Sequence, residues 1–194
     1  MYRDFKYKLA EDTISKLEIA RLSQWLIKTK RLTQGKKVEN FEKNFSNYLN
    51  VNKSIFVNSG SSANLLIAQS LLESGLLKNK IIIAPTLSWA TTVTPFLQLG
   101  YDVKLCDTNL KDLGLSTDHL EYLCKRFKPS SIILVHVLGH SNDMKKILKI
   151  CKKYKILLIE DTCEALGSTI KKKKLGSFGI ASSFSFYYGH HIST

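Results

Sequence analysis

Long hydrophobic runs are missing from this chain. Its longest apolar stretches, such as Ser131–Val137 and Ile156–Ile159, have the length of β-strands and fall far short of the roughly 20 residues that cross a bilayer. No membrane association is therefore expected. The opening residues, Met1-Tyr-Arg-Asp-Phe-Lys, lead into polar sequence without the apolar core of a secretory signal, which predicts a cytoplasmic protein. Cysteine is sparse and scattered: Cys106, Cys124, Cys151 and Cys163 form no C-x-x-C pair. That spacing argues against a zinc knuckle or a disulfide framework and predicts free thiols and no metal site. Tandem repeats and low-complexity linkers are lacking as well.

Acidic residues are also scarce, 16 against 29 Lys and Arg, giving a formal net charge of +13. Nucleic-acid binders are often this basic, but their charge gathers on a stripe interleaved with aromatics. Here the lysines are spread over every segment and no recognition motif accompanies them, so no nucleic-acid partner is expected. The one dense run, Lys171–Lys174, sits between Thr169-Ile170 and Leu175-Gly176 and reads as the solvated tip of a hairpin. Part of the excess charge would help attract an anionic ligand.

What is present is a chain of 194 residues, 44% hydrophobic, enough to bury a core in one ordinary domain. Ile14, Leu17, Leu22, Trp25 and Leu26 form a rough helical stripe over residues 12–28, with Asp12 or Thr13 available as N-cap. Val38, Phe41, Phe45, Tyr48 and Leu49 form a cleaner one. From Ser54 onward, strand-like runs recur at Ile55–Val57, Ile81–Ile83, Val103–Leu105, Ile132–Val137, Ile156–Ile159 and Ala181–Phe186. Helical stretches lie between most of them, at Ala63–Leu72, Thr91–Leu99, Thr117–Arg126 and Asn142–Tyr154. Strand and helix in alternation predict an α/β fold, a mostly parallel sheet sandwiched by helices.

Ligands bind at the carboxyl ends of strands in such a sheet, so polar residues directly after a strand are the candidates for chemistry. Four places qualify. Asn58-Ser-Gly-Ser-Ser-Ala-Asn leads into a helix, and free N–H groups at a helix start cradle phosphate. The same residues also suit an ordinary cap and turn. Trp89, after Ile81–Ile83 and Pro85, suits core packing or a flat face for an aromatic ligand. Glu160 and Asp161 end a very apolar strand, where a carboxylate is costly unless paired with a cation; capping a following helix is the other reading. Ser185 and His190 stand five residues apart at the end of the last strand, and His is an acid–base catalyst at neutral pH or simply an exposed side chain.

Six ordered motifs then carry a resemblance: Asn58-Ser-Gly-Ser-Ser-Ala; Ala84-Pro-Thr-Leu-Ser-Trp; Val135-His-Val-Leu-Gly-His; Ile159-Glu-Asp-Thr-Cys-Glu-Ala-Leu-Gly-Ser; Leu175-Gly-Ser-Phe-Gly; and Ser183-Phe-Ser-Phe-Tyr-Tyr-Gly-His-His-Ile-Ser-Thr. From about Thr33 to Thr194 the chain resembles the sugar aminotransferase family of the aspartate-aminotransferase fold. The resemblance implies a cofactor, pyridoxal 5'-phosphate or pyridoxamine 5'-phosphate, in a large domain over residues 33–194 that is incomplete at its C-terminus. Residues 1–32 would form a separate helical segment. By position, Gly60 and Ser61 would hold the cofactor phosphate with Ser185, and Trp89 would stack on the pyridine ring. Asp161 would pair with the ring nitrogen, and Glu164 would lie near the phenolic oxygen.

At position 190 the pattern departs from the family. Most members carry there the lysine that forms a Schiff base with the cofactor; this chain has His190, and no Lys lies between Leu175 and Thr194. A dehydratase subgroup of the family shares that change. It removes the C3 hydroxyl of a nucleotide-linked 4-keto-6-deoxyhexose on the way to dideoxysugars of the lipopolysaccharide O-antigen. Resemblance to it implies His190 as the catalytic proton carrier (or His191 beside it), glutamate as amino donor, a nucleotide-diphosphate keto-sugar as substrate and a homodimer. An aminotransferase and an inactive truncated fragment are the alternatives, since relatives continue for about as long again.

Overall fold

The computed structural model describes residues 14–190. Helix α1 (Lys16–Lys28) starts at Ser15, whose side chain accepts the Glu18 N–H while Glu18 reaches back to the Ser15 N–H. This reciprocal capping box satisfies two orphan donors; the expected caps Asp12 and Thr13 lie outside the described residues. No side chain of α1 is buried. Helix α2 (Lys36–Leu49) presents Phe41, Phe45 and Tyr48 on one face. Phe41 meets Phe56 and Phe186 edge-on at 5.2 Å, and Phe45 meets Phe184 at 5.1 Å. Aromatic contacts thus clamp the chain on either side of the sheet's last edge.

The remaining elements run α3 (Gly60–Glu73), β1 (Ile81–Pro85), α4 (Ala90–Gln98), β2 (Asp102–Cys106), α5 (Thr117–Phe127), β3 (Ser131–Val135), α6 (Met144–Tyr154), β4 (Leu157–Asp161), β5 (Thr169–Ile170), β6 (Lys173–Lys174) and β7 (Ala181–Ser183). Five strands form one sheet in the order β2-β1-β3-β4-β7, and every pair in it is parallel. Alternate side chains leave opposite faces of a strand, so the apolar runs serve two cores. Ile83, Ile132, Leu134 and Leu158 pack with α5 and α6; Ile82, Ala84, Ile133 and Ile159 pack with α3 and α4. A sheet covered on both faces explains why β3 is buried at every position. Burying a Leu or Ile side chain stabilises by about 1.5–3 kcal/mol, and these two clusters hold the layers together.

The chain leaves β1 toward β2 on one side and continues through β3, β4 and β7 on the other. That reversal of direction opens a crevice at the carboxyl ends of the strands. The Lys171–Lys174 reading holds in part: β5 and β6 pair antiparallel. Lys171 and Lys172 form the turn at φ 49° and 68°, while Lys173 and Lys174 belong to a strand and lie over the rings of Phe178 and Tyr48. The expected strand at Ile55–Val57 is absent, because none of the described strands runs beside it. A cavity of about 670 Å³ lies there instead, walled by residues 53–60 on one side and 179–187 on the other. Among the described residues, no helix is long and apolar enough to cross a membrane.

Candidate functional site

Helix α3 points its N-terminus at the carboxyl edge of the sheet. Ser59 caps it: its hydroxyl accepts the Ser62 N–H at 3.1 Å and its carbonyl takes the Ala63 N–H. The N–H groups of Gly60 and Ser61 are left without a partner among the described residues, the state in which a helix start binds an anion. Gly60 is buried. A β-carbon there would stand 2.9 Å from Cys163 Sγ and 3.2 Å from Ser185 Cβ. Glycine is needed because α3 packs directly on the chain after β4 and β7, which also places Ser185 beside Gly60. The Ser185 hydroxyl accepts the Tyr187 N–H at 3.2 Å, leaving its own proton free to donate.

Asp161, at the end of β4, is 4% exposed. Its Oδ2 accepts from Asn64 Nδ2 at 3.0 Å and from Thr92 Oγ1 at 2.8 Å; its Oδ1 accepts the Cys163 N–H at 3.2 Å. Three donors face this carboxylate, and no cation reaches it among the described residues. Burial, with the negative charge of Asp161 adding to it, pushes the Cys163 thiol well above its ordinary range, so this thiol stays protonated. Thr91 joins the cluster: its hydroxyl accepts from Ser61 Oγ at 2.9 Å. Trp89, one residue before α4, is 77% exposed. It is not core, and its ring stands open toward solvent.

Glu160 has a different task from its neighbour. It points to the other face of the sheet, fully buried, and accepts the N–H groups of Gly176, Phe178 and Gly179 at 2.7–2.9 Å. His136 Nε2 lies 3.2 Å from it. Burial raises the Glu160 carboxyl, and the hydrogen bonds from His136, Gly179 and Gly176 outweigh that and hold it below its ordinary value. Glu160 thus ties the Gly176–Gly179 loop to the sheet. Glu164 accepts the Leu138 N–H at 2.8 Å, where Leu138 takes a left-handed φ of 51°, and so anchors the loop after β3. His190 donates its backbone N–H to Tyr187 and sets its ring 5.7 Å from the Tyr187 ring. No hydrogen bond joins it to the other site residues among those described, and His191 lies outside them.

The structure therefore gathers Gly60, Ser61, Asp161 and Ser185 around the start of α3, with Trp89 leading into the helix that supplies Thr91 and Thr92. Residues 13–194 match a single family model. The chain belongs to the DegT/DnrJ/EryC1/StrS aminotransferase family. It is 34% identical over 191 residues to GDP-4-keto-6-deoxy-D-mannose 3-dehydratase of Yersinia pseudotuberculosis, covering 97% of this chain and 48% of that protein. Among solved structures it superposes on the E. coli GDP-4-keto-6-deoxy-D-mannose-3-dehydratase with bound hydrated PLP, at TM-score 0.89 and 34% identity, over 96% of this chain and 48% of that one. A GDP-4-keto-6-deoxymannose-3-dehydratase with a trapped PLP-glutamate geminal diamine matches at TM-score 0.86 and 32% identity, over 96% and 49%. The chain spans about half the length of these relatives.

Sequence reading missed Asn64 and Thr92. Asn64 had a signal: it is the polar member of the buried stripe Gly60, Asn64, Ala68 and Leu71 on α3, and a buried amide needs partners. Thr92, beside a second threonine, carried no comparable mark.

Proposed function

We propose that this chain forms the cofactor-holding half of a nucleotide-sugar 3-dehydratase that uses pyridoxal or pyridoxamine phosphate, with glutamate as amino donor. The single observation that carries this reading is histidine at position 190, in a stretch from Leu175 to Thr194 that contains no lysine. The residues fit the cofactor. Two unpartnered N–H groups and the Ser185 hydroxyl suit a phosphate, the open Trp89 face suits an aromatic ring, and a buried carboxylate met only by donors suits a ring-nitrogen proton.

When bound, the cofactor supplies an electron sink conjugated to the sugar carbon beside the one losing its hydroxyl. The protein supplies the rest. The start of α3 and Ser185 would hold the phosphate end, and the Trp89 ring would pack on the aromatic ring. Asp161 would stabilise a proton on the ring nitrogen, since a nearby anion favours the charged form. His190 would hold on its imidazole the proton taken from the carbon of the cofactor-bound group and give one to the departing C3 hydroxyl, which leaves as water; imidazole suits both directions near neutral pH. With no lysine at position 190, release of the product would be left to water.

The test is product analysis on the protein expressed from its complete reading frame. Given GDP-4-keto-6-deoxymannose, pyridoxamine phosphate and glutamate, it is expected to form a 3-deoxy keto-sugar with release of ammonia. His190→Asn is expected to lose at least 100-fold in rate, the typical scale of an acid–base group. An amino sugar as the product would establish the aminotransferase instead.

A further inference from the structure

Asn64 occupies an unusual position. It is 2% exposed, and its single NH2 group serves two acceptors, Asp161 Oδ2 at 3.0 Å and the Thr91 carbonyl at 3.2 Å. Its own oxygen, Oδ1, is buried without a hydrogen-bond partner. Turning the amide over would place that oxygen against a carboxylate and a carbonyl, so the observed orientation is fixed although it orphans an acceptor.

The Thr91 carbonyl is available for a reason written in the sequence. In an α-helix it would accept the N–H four residues on, but that residue is Pro95, inside α4, which has no N–H. The carbonyl freed by Pro95 takes the second proton of Asn64. Thr91 also accepts from Ser61, and Thr92 donates to Asp161. One network therefore joins the start of α3, the start of α4 and the end of β4.

We propose that Asn64 and Thr92 are positioning residues. They hold the Asp161 carboxylate in one rotamer against the α3 terminus, so that the group meeting a ring nitrogen and the group meeting a phosphate keep a fixed separation. The inference rests on the cofactor assignment above and adds two residues to it. Both donors converge on the same oxygen, Oδ2, and Cys163 N–H holds the other. Side-chain rotation would break all three bonds.

The experiment compares Asn64→Ala, Thr92→Val and Thr92→Ser with the parent in the protein from its complete reading frame. Affinity for pyridoxal phosphate is measured by fluorescence titration, the absorption spectrum of the bound cofactor is recorded, and circular dichroism checks the fold. Asn64→Ala and Thr92→Val are expected to bind on the order of tenfold more weakly, with a changed band shape as the ring-nitrogen proton loses its anchored partner. Thr92→Ser keeps the hydroxyl and is expected to restore both. Parent-like affinity and spectrum in Asn64→Ala and Thr92→Val would overturn the proposal, and so would weaker binding that Thr92→Ser does not rescue. Failure of the parent to bind pyridoxal phosphate would instead overturn the functional reading.

Discussion

His136 Nε2 stands 3.2 Å from Glu160 Oε2 with neither side chain exposed to solvent. Around this pair the Gly176–Gly179 loop closes on the sheet through three backbone N–H groups. Glu160→Gln replaces an acceptor by an NH2 group facing those donors. Each buried donor left without its acceptor costs about 1–3 kcal/mol. The variant is expected to melt roughly 10 °C below the parent, measured by thermal circular dichroism.

The same carboxyl sets an acid limit. Its folded pKa lies below the ordinary 4.5, so the folded protein binds the proton less readily than the unfolded chain. The stability this contributes is fully present above about pH 5 and is lost as pH falls through the depressed folded value. Denaturant midpoints measured from pH 7 downward are expected to stay level to about pH 5 and to fall below it. Glu160→Gln is expected to flatten part of that fall.

Gly60→Ala tests the close packing at the start of α3. The added methyl meets Cys163 Sγ at 2.9 Å and Ser185 Cβ at 3.2 Å, so α3 must move outward. The expected cost is about 1–3 kcal/mol in stability, with weaker binding of pyridoxal phosphate. The double variant Gly60→Ala/Cys163→Ala, which removes the nearer obstacle, is expected to recover part of both.

The β5–β6 turn offers a gain. Lys171 and Lys172 are exposed, and both hold positive φ, a conformation that costs a lysine roughly 1–2 kcal/mol. Two-residue turns of this kind favour Asn-Gly. Replacing Lys171 by Asn and Lys172 by Gly is expected to raise the melting temperature by a few degrees and to leave cofactor affinity unchanged.

Much of this architecture was legible because its signals are local. Apolar runs of strand length between amphipathic helices marked all five strands of the sheet, and turn residues marked the strand ends where the site lies. Ile55–Val57 misled, since a strand needs a neighbour and its composition cannot report whether one is beside it. Trp89 stayed ambiguous between core and surface until the orientation of α4 was known. Asp161 stood out from its place after an apolar strand, whereas the side-chain donors that hold it come from residues 69 and 97 positions away along the chain. Nothing in the local pattern around Asp161 points to them. The local pattern left Glu160 and Asp161 equivalent and only the family resemblance singled out Asp161; the alternation of faces in β4 is what separates the carboxylate that braces a loop from the one that faces the cleft.

The central claim is that the cleft holds its cofactor without a covalent link, beside the imidazole of His190. Borohydride reduction in the presence of pyridoxal phosphate, followed by peptide mass spectrometry, tests it most directly. The parent is expected to yield no cofactor-modified peptide from Leu175 onward, whereas His190→Lys is expected to carry the modification at that residue. A labelled lysine elsewhere in the parent's cleft, or no labelling at position 190 in the variant, would contradict the account.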